Sequence, residues 1–160
     1  MIRLAQAEDA RAIAALWNAM IRDTLATFTT VEKTEAEIVA LIDERPKAFW
    51  VYEGQEIEGF ATFGPFRAGP GYKATLEHTV IVAQAAQGRG VGRALMAQVE
   101  QGAQKAGAHV LVAGISSANP NAVAFHARLG FQETARLSEV GRKNGQWLDL
   151  ILMQKTVSSP

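Results

Sequence analysis

Apolar residues recur at helical spacing in two stretches of the first half of the chain. The first stretch begins at Glu8-Asp9 and predicts an amphipathic helix. Its apolar positions are Ile13, Leu16, Trp17 and Met20. A second helix is predicted after Thr34, which forms a capping-box pattern with Glu37, and it should end before Pro46.

Short runs of β-branched and aromatic residues, bounded by turn signals, predict strands. The signals include Gly54-Gln55 and Asn144-Gly145, and the second is typical of a two-residue hairpin turn. Two more helices are predicted from Gly92 to Lys105 and from Pro120 to Leu129. The predicted strands span 2–4, 48–52, 57–63, 75–82, 109–115, 131–140 and 147–156.

These elements follow one another without repeats or linkers. They predict a single α/β domain over residues 1–157, followed by a short frayed tail over 158–160. Within the domain we expect a mixed, mostly antiparallel sheet of about seven strands, with helices on both faces.

Composition narrows the classes of function. The 160 residues are 48% hydrophobic, which allows a substantial core. The 16 basic and 16 acidic residues cancel, which argues against a nucleic-acid partner. Without cysteine there is no disulfide, thiolate metal site or cysteine nucleophile. No signal peptide or membrane-length apolar run is visible, so we expect a cytoplasmic protein without a membrane partner. We also expect no metal.

A glycine-rich segment, Gln87-Gly88-Arg89-Gly90-Val91-Gly92, lies between an apolar strand and a predicted helix. Glycines allow a positive φ and close backbone approach, and the free N–H groups of a helix N-terminus bind anions. This order of elements therefore predicts a diphosphate site. The spacing matches neither the P-loop nor the dinucleotide fingerprint, and leaves the pattern [Gln/Arg]-x-x-Gly-x-Gly.

That segment resembles the coenzyme A loop of the GNAT acetyltransferases. About thirty residues later, Asn119-x-x-Ala122 and Phe125-His126-Ala127-Arg128-Leu129-Gly130-Phe131 resemble the superfamily's second signature. Within the superfamily, the chain is most similar to the phosphinothricin acetyltransferase family, which includes methionine sulfoximine and L-amino acid N-acyltransferases. The segments that carry this similarity are 60–67, 75–82, His126 and 140–150.

The resemblance implies acetyl-CoA as co-substrate, with its diphosphate on the backbone N–H groups of residues 87–92. Arg89 is a candidate for added charge on the phosphates, the alternative being a solvated side chain. The resemblance also implies that the backbone of Val80-Ile81-Val82 pairs with the pantetheine arm and polarises the thioester oxygen. Asn119 is predicted as a helix cap and is implied as a coenzyme contact.

Two side chains are candidates for proton transfer. Glu77 lies in a β-branched run, where a carboxylate is costly unless it is exposed or used. The resemblance implies a glutamate base here, and the alternative is a carboxylate that only orients the substrate ammonium. His126 stands where the wider superfamily has a tyrosine acid. It is either the acid for the departing thiolate or a side chain that only hydrogen-bonds to or packs against the coenzyme. His78 is a weaker candidate base, on the opposite strand face.

Arg67 is the candidate ligand for a substrate carboxylate, because its planar guanidinium suits a carboxylate bidentately. Lys73 and Lys143 are alternatives, and Tyr72 and Phe28 are candidate apolar walls.

The resulting prediction is an acetyl-CoA-dependent N-acetyltransferase that acts by direct attack in a ternary complex. Its acceptor is the α-amine of a small amino acid or an analogue such as phosphinothricin or methionine sulfoximine. Other acceptors (a protein N-terminus, a polyamine, an aminoglycoside) and a non-catalytic acyl-CoA binding module remain open. The resemblance also implies a homodimer.

Overall fold

A computed structural model describes residues 1–158 and contains one seven-stranded sheet. The strands are β1 (Ile2–Leu4), β2 (Phe49–Glu53), β3 (Ile57–Pro65), β4 (Thr75–Val82), β5 (Val110–Ser116), β6 (Gln132–Lys143) and β7 (Gln146–Thr156). Their order is β1-β2-β3-β4-β5-β7-β6. Among the strands of residues 1–158, only β4 and β5 pair in parallel, so the predicted mixed, mostly antiparallel sheet is confirmed.

Four α-helices cover the two faces of the sheet. They are α1 (Ala10–Asp23), α2 (Glu35–Glu44), α3 (Val91–Lys105) and α4 (Pro120–Arg128). On one face, Ile13 of α1 and Ile38 of α2 pack with Phe60 of β3. On the other face, Leu95 and other apolar residues of α3 form a core with the sheet, against which α4 also packs. Thr34 caps α2 as predicted, since its side chain accepts the N–H of Glu37 at 3.1 Å.

The β6–β7 hairpin is longer than the sequence pattern predicts. Asn144 and Gly145 both have positive φ (50° and 75°) and form the predicted two-residue turn. The strand reaches this turn through a bulge, because residues 138–140 together face the single residue Asp149. The carboxylate of Asp149 accepts the N–H of Glu139 at 2.9 Å. The bulge interrupts the apolar alternation, which explains why the strand predicted from the sequence ends at residue 140.

The last described residues are attached to the body of the protein. The N–H of Val157 donates to the carbonyl of His109, and Oγ of Ser158 lies 2.7 Å from Nδ1 of the same histidine. The rest of the predicted tail, residues 159–160, lies outside the described residues. Within residues 1–158, no helix is long and apolar enough to cross a membrane.

Candidate active site

The centre of the sheet opens where its two parallel strands separate. β4 and β5 pair only over three residues, from Thr75 with Val110 to Glu77 with Val112. Both strands continue beyond this point, so the β5-facing edge of β4 from His78 to Val82 has no strand partner within the described structure. This unpaired backbone includes the three valine and isoleucine residues predicted to receive the pantetheine arm, and it is available to a ligand that adds as a strand.

The predicted diphosphate segment follows the end of β4 whose edge is free, and a Cβ on Gly92 would lie 3.5 Å from Val82 at that end. Gly88 and Gly90 have φ of 77° and 82°, and a Cβ at either position would meet no atom within 4 Å. Gly90 is the residue that precedes α3, and no side chain among residues 1–158 caps this helix start. The first turn also carries no acidic residue. The helix therefore presents unpaired N–H groups and the positive end of its dipole beside an open glycine surface.

The three side chains predicted to contact the coenzyme, those of Gln87, Arg89 and Asn119, are exposed or already have partners within the protein. Arg89 is exposed, and its guanidinium donates to Glu58 at 3.1 Å, so part of its charge is already paired. Gln87 is exposed on the same turn. Asn119 caps α4 as predicted, because its side-chain oxygen accepts the N–H of Ala122 at 3.2 Å. Coenzyme contacts of these three side chains stay predictions.

Glu77 lies at the vertex of the opening, at the last paired position of β4. Its carboxylate is half-buried on the face of β5, where a Cβ on Gly114 would come within 3.0 Å of Oε2. Burial raises the pKa of this carboxyl above its usual value. A carboxylate with a raised pKa is a better proton acceptor, as a general base at this position requires.

The two histidines of the site form a buried pair on the opposite face. Nε2 of His78 and Nε2 of His126 are 2.9 Å apart, and Nδ1 of His126 is 2.7 Å from the carbonyl of Ala122. Since a carbonyl only accepts, Nδ1 of His126 carries a hydrogen, and in the neutral pair His78 donates the bond between the rings. Both nitrogens of His126 are therefore engaged within the protein.

Burial also determines the charge of the pair. Burial, with a contribution from the neighbouring His126, lowers the pKa of His78 to about 3. Burial likewise lowers the pKa of His126. Both imidazoles are thus neutral near pH 7. A neutral imidazole has no ready proton for a thiolate, so an acid role of His126 requires that it first receive one.

The pair predicts a specific dependence of stability on pH. In the unfolded chain a histidine has a pKa near 6.5, whereas the folded value of His78 is about 3. The contribution of neutral His78 to the free energy of unfolding is therefore complete above about pH 6.5 and is lost as the pH falls towards 3. Between pH 7 and pH 5 we expect His78 alone to account for about 2 kcal/mol of the fall in unfolding free energy.

Urea unfolding of His78→Gln at the two pH values measures this contribution. The variant should lose about 2 kcal/mol less than the wild type on acidification, because the amide does not titrate. His109→Gln, at an exposed position, is the control for replacing a histidine with glutamine. Equal pH dependence in all three proteins would mean that the buried pair is not neutral.

The predicted acceptor ligands do not all meet in one place. Arg67, Tyr72 and Lys73 line one cavity of about 310 Å³ beside the β3–β4 connection. Phe28 lies elsewhere, with its ring against Gly141 of β6, where a Cβ would come within 2.7 Å. Glu77 does not line the 310 Å³ cavity. The roles of Arg67, Tyr72 and Phe28 in acceptor binding stay predictions.

One alternative for the substrate carboxylate is wrong. The ammonium of Lys143 is buried and donates to three backbone carbonyls, those of Ile21, Thr24 and Thr27. All three of its hydrogens are used, so it has none left for a carboxylate.

Two features of the site were missed from the sequence. Gly114 makes room for the Glu77 carboxylate, and a glycine inside an apolar strand is the signal that marks such a close approach. The bond between His78 and His126 had no local signal, because the residues are 48 positions apart. A larger cavity of about 840 Å³ lies between the end of α2 and α3 and contains none of the predicted site residues. Within residues 1–158, no cluster of three or more metal-ligating side chains occurs.

Comparison with known proteins identifies the family. Residues 13–131 match the family model described as Acetyltransferase (GNAT) family. The chain is 37% identical over 158 residues to the L-methionine sulfoximine/L-methionine sulfone acetyltransferase of Salmonella typhimurium, covering 96% of this chain and 92% of the relative. It is 36% identical over 150 residues to a phosphinothricin N-acetyltransferase of Streptomyces coelicolor, with coverage of 89% and 88%.

A solved structure supports the same assignment. An acetyltransferase from Salmonella typhimurium, determined with its cofactor acetyl-CoA, superposes with a TM-score of 0.95 at 35% identity and covers 100% of this chain and 95% of that one. The predicted sheet, the acyltransferase class and acetyl-CoA as the co-substrate are thereby confirmed. The chain belongs to the GNAT family of acetyltransferases.

Proposed function

We propose that this acetyltransferase acetylates the α-amine of a small amino acid or of an analogue such as methionine sulfoximine or phosphinothricin. The observation that carries the proposal is the half-buried Glu77 carboxylate at the vertex of the β4–β5 opening, on the face opposite the histidine pair. The relatives named above, whose acceptors are amino-acid analogues, support the acceptor class.

The reaction proceeds by direct attack when both substrates are bound. The amine nitrogen bonds to the thioester carbonyl carbon while its proton passes to the Glu77 carboxylate, directly or through water. A backbone N–H on the free edge of β4 stabilises the carbonyl oxygen, the carbon–sulfur bond breaks, and the coenzyme leaves as a thiolate that takes up a proton. His126 is the proposed donor for this last step. Because its resting form is neutral, a proton from solvent must first reach Nε2 in place of the bond from His78, and the same proton then passes to the thiolate.

Arg67 is the proposed ligand of the acceptor carboxylate, with Tyr72 and Phe28 as apolar walls. The guanidinium of Arg67 is exposed and makes no ion pair with a carboxylate in residues 1–158, so its hydrogen-bond donors are free for an anion. This cavity and Glu77 are separate in the described structure. Because the α-amine and the α-carboxylate share one carbon, the proposal requires the long Arg67 side chain to reach out of the cavity towards Glu77 when the acceptor binds.

An amine panel with acetyl-CoA tests the acceptor class. Free thiol is measured with methionine sulfoximine, phosphinothricin and ordinary L-amino acids, and then with the carboxamide of the best acceptor. We expect turnover with amino-acid-like amines and a KM at least tenfold higher for the carboxamide, which lacks the charge that Arg67 binds. Turnover only with a polyamine, an aminoglycoside or a peptide N-terminus rejects the proposed acceptor. Coenzyme binding without any turnover favours a non-catalytic acyl-CoA module.

We also propose that the enzyme works in the cytoplasm as a homodimer. The β6–β7 hairpin carries three exposed large apolar side chains, Leu137, Val140 and Trp147, and β6 is an edge strand of the sheet. Such a surface is typical of a contact between copies. Light scattering in solution should give twice the mass of the chain, and a monomer would reject the dimer.

A further inference from the structure

The ammonium of Lys143 is held entirely by backbone oxygens. Nζ is 2.7 Å from the carbonyl of Ile21 and 2.9 Å from those of Thr24 and Thr27, and the residue is 3% exposed. Among the described residues, no carboxylate lies within ion-pair distance of it. A buried ammonium is costly unless each of its hydrogens has an acceptor, and here all three have one.

The three carbonyls belong to the end of α1 and the segment that follows it. Helix C-terminal carbonyls lack partners within the helix and attract cations. Lys143 supplies both hydrogen-bond donors and a positive charge to these carbonyls, from a strand that lies 116 to 122 positions away in the sequence. The side chain therefore fastens the segment after α1 to the β6–β7 hairpin.

The segment that Lys143 holds ends next to Phe28, since Thr27 is one of its three acceptors. The ring of Phe28 rests on Gly141, two residues before Lys143, and Gly141 pairs with Leu148 of β7. Leu148 and Leu150 point to the same side of their strand.

Gly114 of β5 lies next to both Leu150 and the Glu77 carboxylate. A Cβ on Gly114 would meet Leu150 at 3.5 Å and the Glu77 carboxylate at 3.0 Å. Phe28 and Glu77 therefore lie on the same face of the sheet, with positions of β6, β7 and β5 between them.

We propose that Lys143 is a positioning residue for the acceptor: it fixes Phe28 as a wall for the acceptor side chain, on the face of the sheet that carries Glu77. This inference rests on the proposed acceptor class and adds the element that shapes the pocket. Lys143 touches neither substrate. It acts through Phe28 and the segment after α1.

The three hydrogen bonds from Lys143 to the carbonyls of Ile21, Thr24 and Thr27 are called the clamp below. Lys143→Met tests the clamp, because methionine keeps much of the apolar side chain and removes the three donor hydrogens. We expect the KM of the best amino-acid acceptor to rise about tenfold or more, since small displacements of positioning groups are costly. The KM of acetyl-CoA should stay within twofold, because the coenzyme segment lies on a different part of the sheet. The exposed Lys105→Met is the control and should change neither constant.

Gly141→Ala is a second test, because it displaces the Phe28 ring from the strand beneath it rather than through Lys143. The new methyl group would displace the Phe28 ring while leaving the Lys143 hydrogen bonds in place. It should reproduce the rise in acceptor KM without a change in the KM of acetyl-CoA. The double variant should show less than the product of the two single effects, because both act through Phe28. If Lys143→Met does not fold, Gly141→Ala still tests the wall.

Hydrogen exchange separates the clamp from the acceptor class. Amides 24–30 should exchange faster in Lys143→Met than in wild type or Lys105→Met, while β2 and β3 stay unchanged. Unchanged exchange in this segment, or a folded Lys143→Met with wild-type acceptor KM, overturns the inference. A wild-type enzyme that turns over no amino acid instead rejects the proposed function, and the exchange result still decides whether the clamp exists.

Discussion

Replacing Glu77 with glutamine is expected to lower kcat by about 10²- to 10⁴-fold, the usual contribution of general acid–base catalysis. Glutamine has nearly the same shape, so it should keep the packing against Gly114, but it cannot take the proton of the attacking amine. The affinity for acetyl-CoA, measured by calorimetry, should stay within twofold of wild type, because the diphosphate segment is untouched.

The pH profile adds an independent readout for Glu77. Burial raises the pKa of this carboxyl, so the wild-type rate should fall on the acid side at a pH above the ordinary carboxyl range. That acid limb should be absent from the residual activity of Glu77→Gln, since the amide does not titrate. The rate is followed as thiol release at saturating concentrations of both substrates.

Two results would contradict this role. Wild-type kcat in Glu77→Gln would mean that another group, or solvent, takes the proton. A higher acceptor KM with an unchanged kcat would mean that the carboxylate only orients the ammonium. Glu56→Gln is the control, since Glu56 is an exposed acidic residue in the turn between β2 and β3 and should leave both constants unchanged.

Features with local signals could be predicted from the sequence. The order of strand, glycine turn and helix around residues 87–92 needs only neighbouring residues, and it is found as predicted. The Thr34 and Asn119 caps and the Asn144-Gly145 turn are equally local. In each case a residue type has a strong preference for one backbone position, so the pattern and the structure agree.

Features that depend on distant contacts could not be predicted. The point where β4 and β5 stop pairing has no signal in the hydrophobic pattern, because both strands are apolar runs of ordinary length. Only the resemblance, which implies that residues 80–82 pair with the pantetheine arm, indicated an edge free for the coenzyme. Lys143 looks like a surface cation next to a turn, yet its ammonium is buried on carbonyls more than a hundred positions away. His78 was placed correctly opposite Glu77, but its partner His126 depends on how α4 packs on the sheet.

Replacing Gly90 with valine is expected to raise the KM of acetyl-CoA by about 10- to 100-fold, a loss of about 1.4 to 2.8 kcal/mol of binding free energy. Gly90 has φ of 82°, where a β-branched residue is strained. Its Cβ would also extend into the open surface in front of the α3 N-terminus, where the diphosphate must approach the backbone closely. The KM of the acceptor amine should change little.

The other end of the same helix provides a matched control for Gly90→Val. Gly107 follows α3 with φ of 84°, and a Cβ there also meets no neighbour within 4 Å. Gly107→Val therefore carries a similar backbone strain at a point remote from the coenzyme segment. It should lower the unfolding free energy about as much as Gly90→Val without changing the KM of acetyl-CoA. Equal effects of the two variants on that KM would show that general destabilisation, rather than the diphosphate contact, limits coenzyme binding.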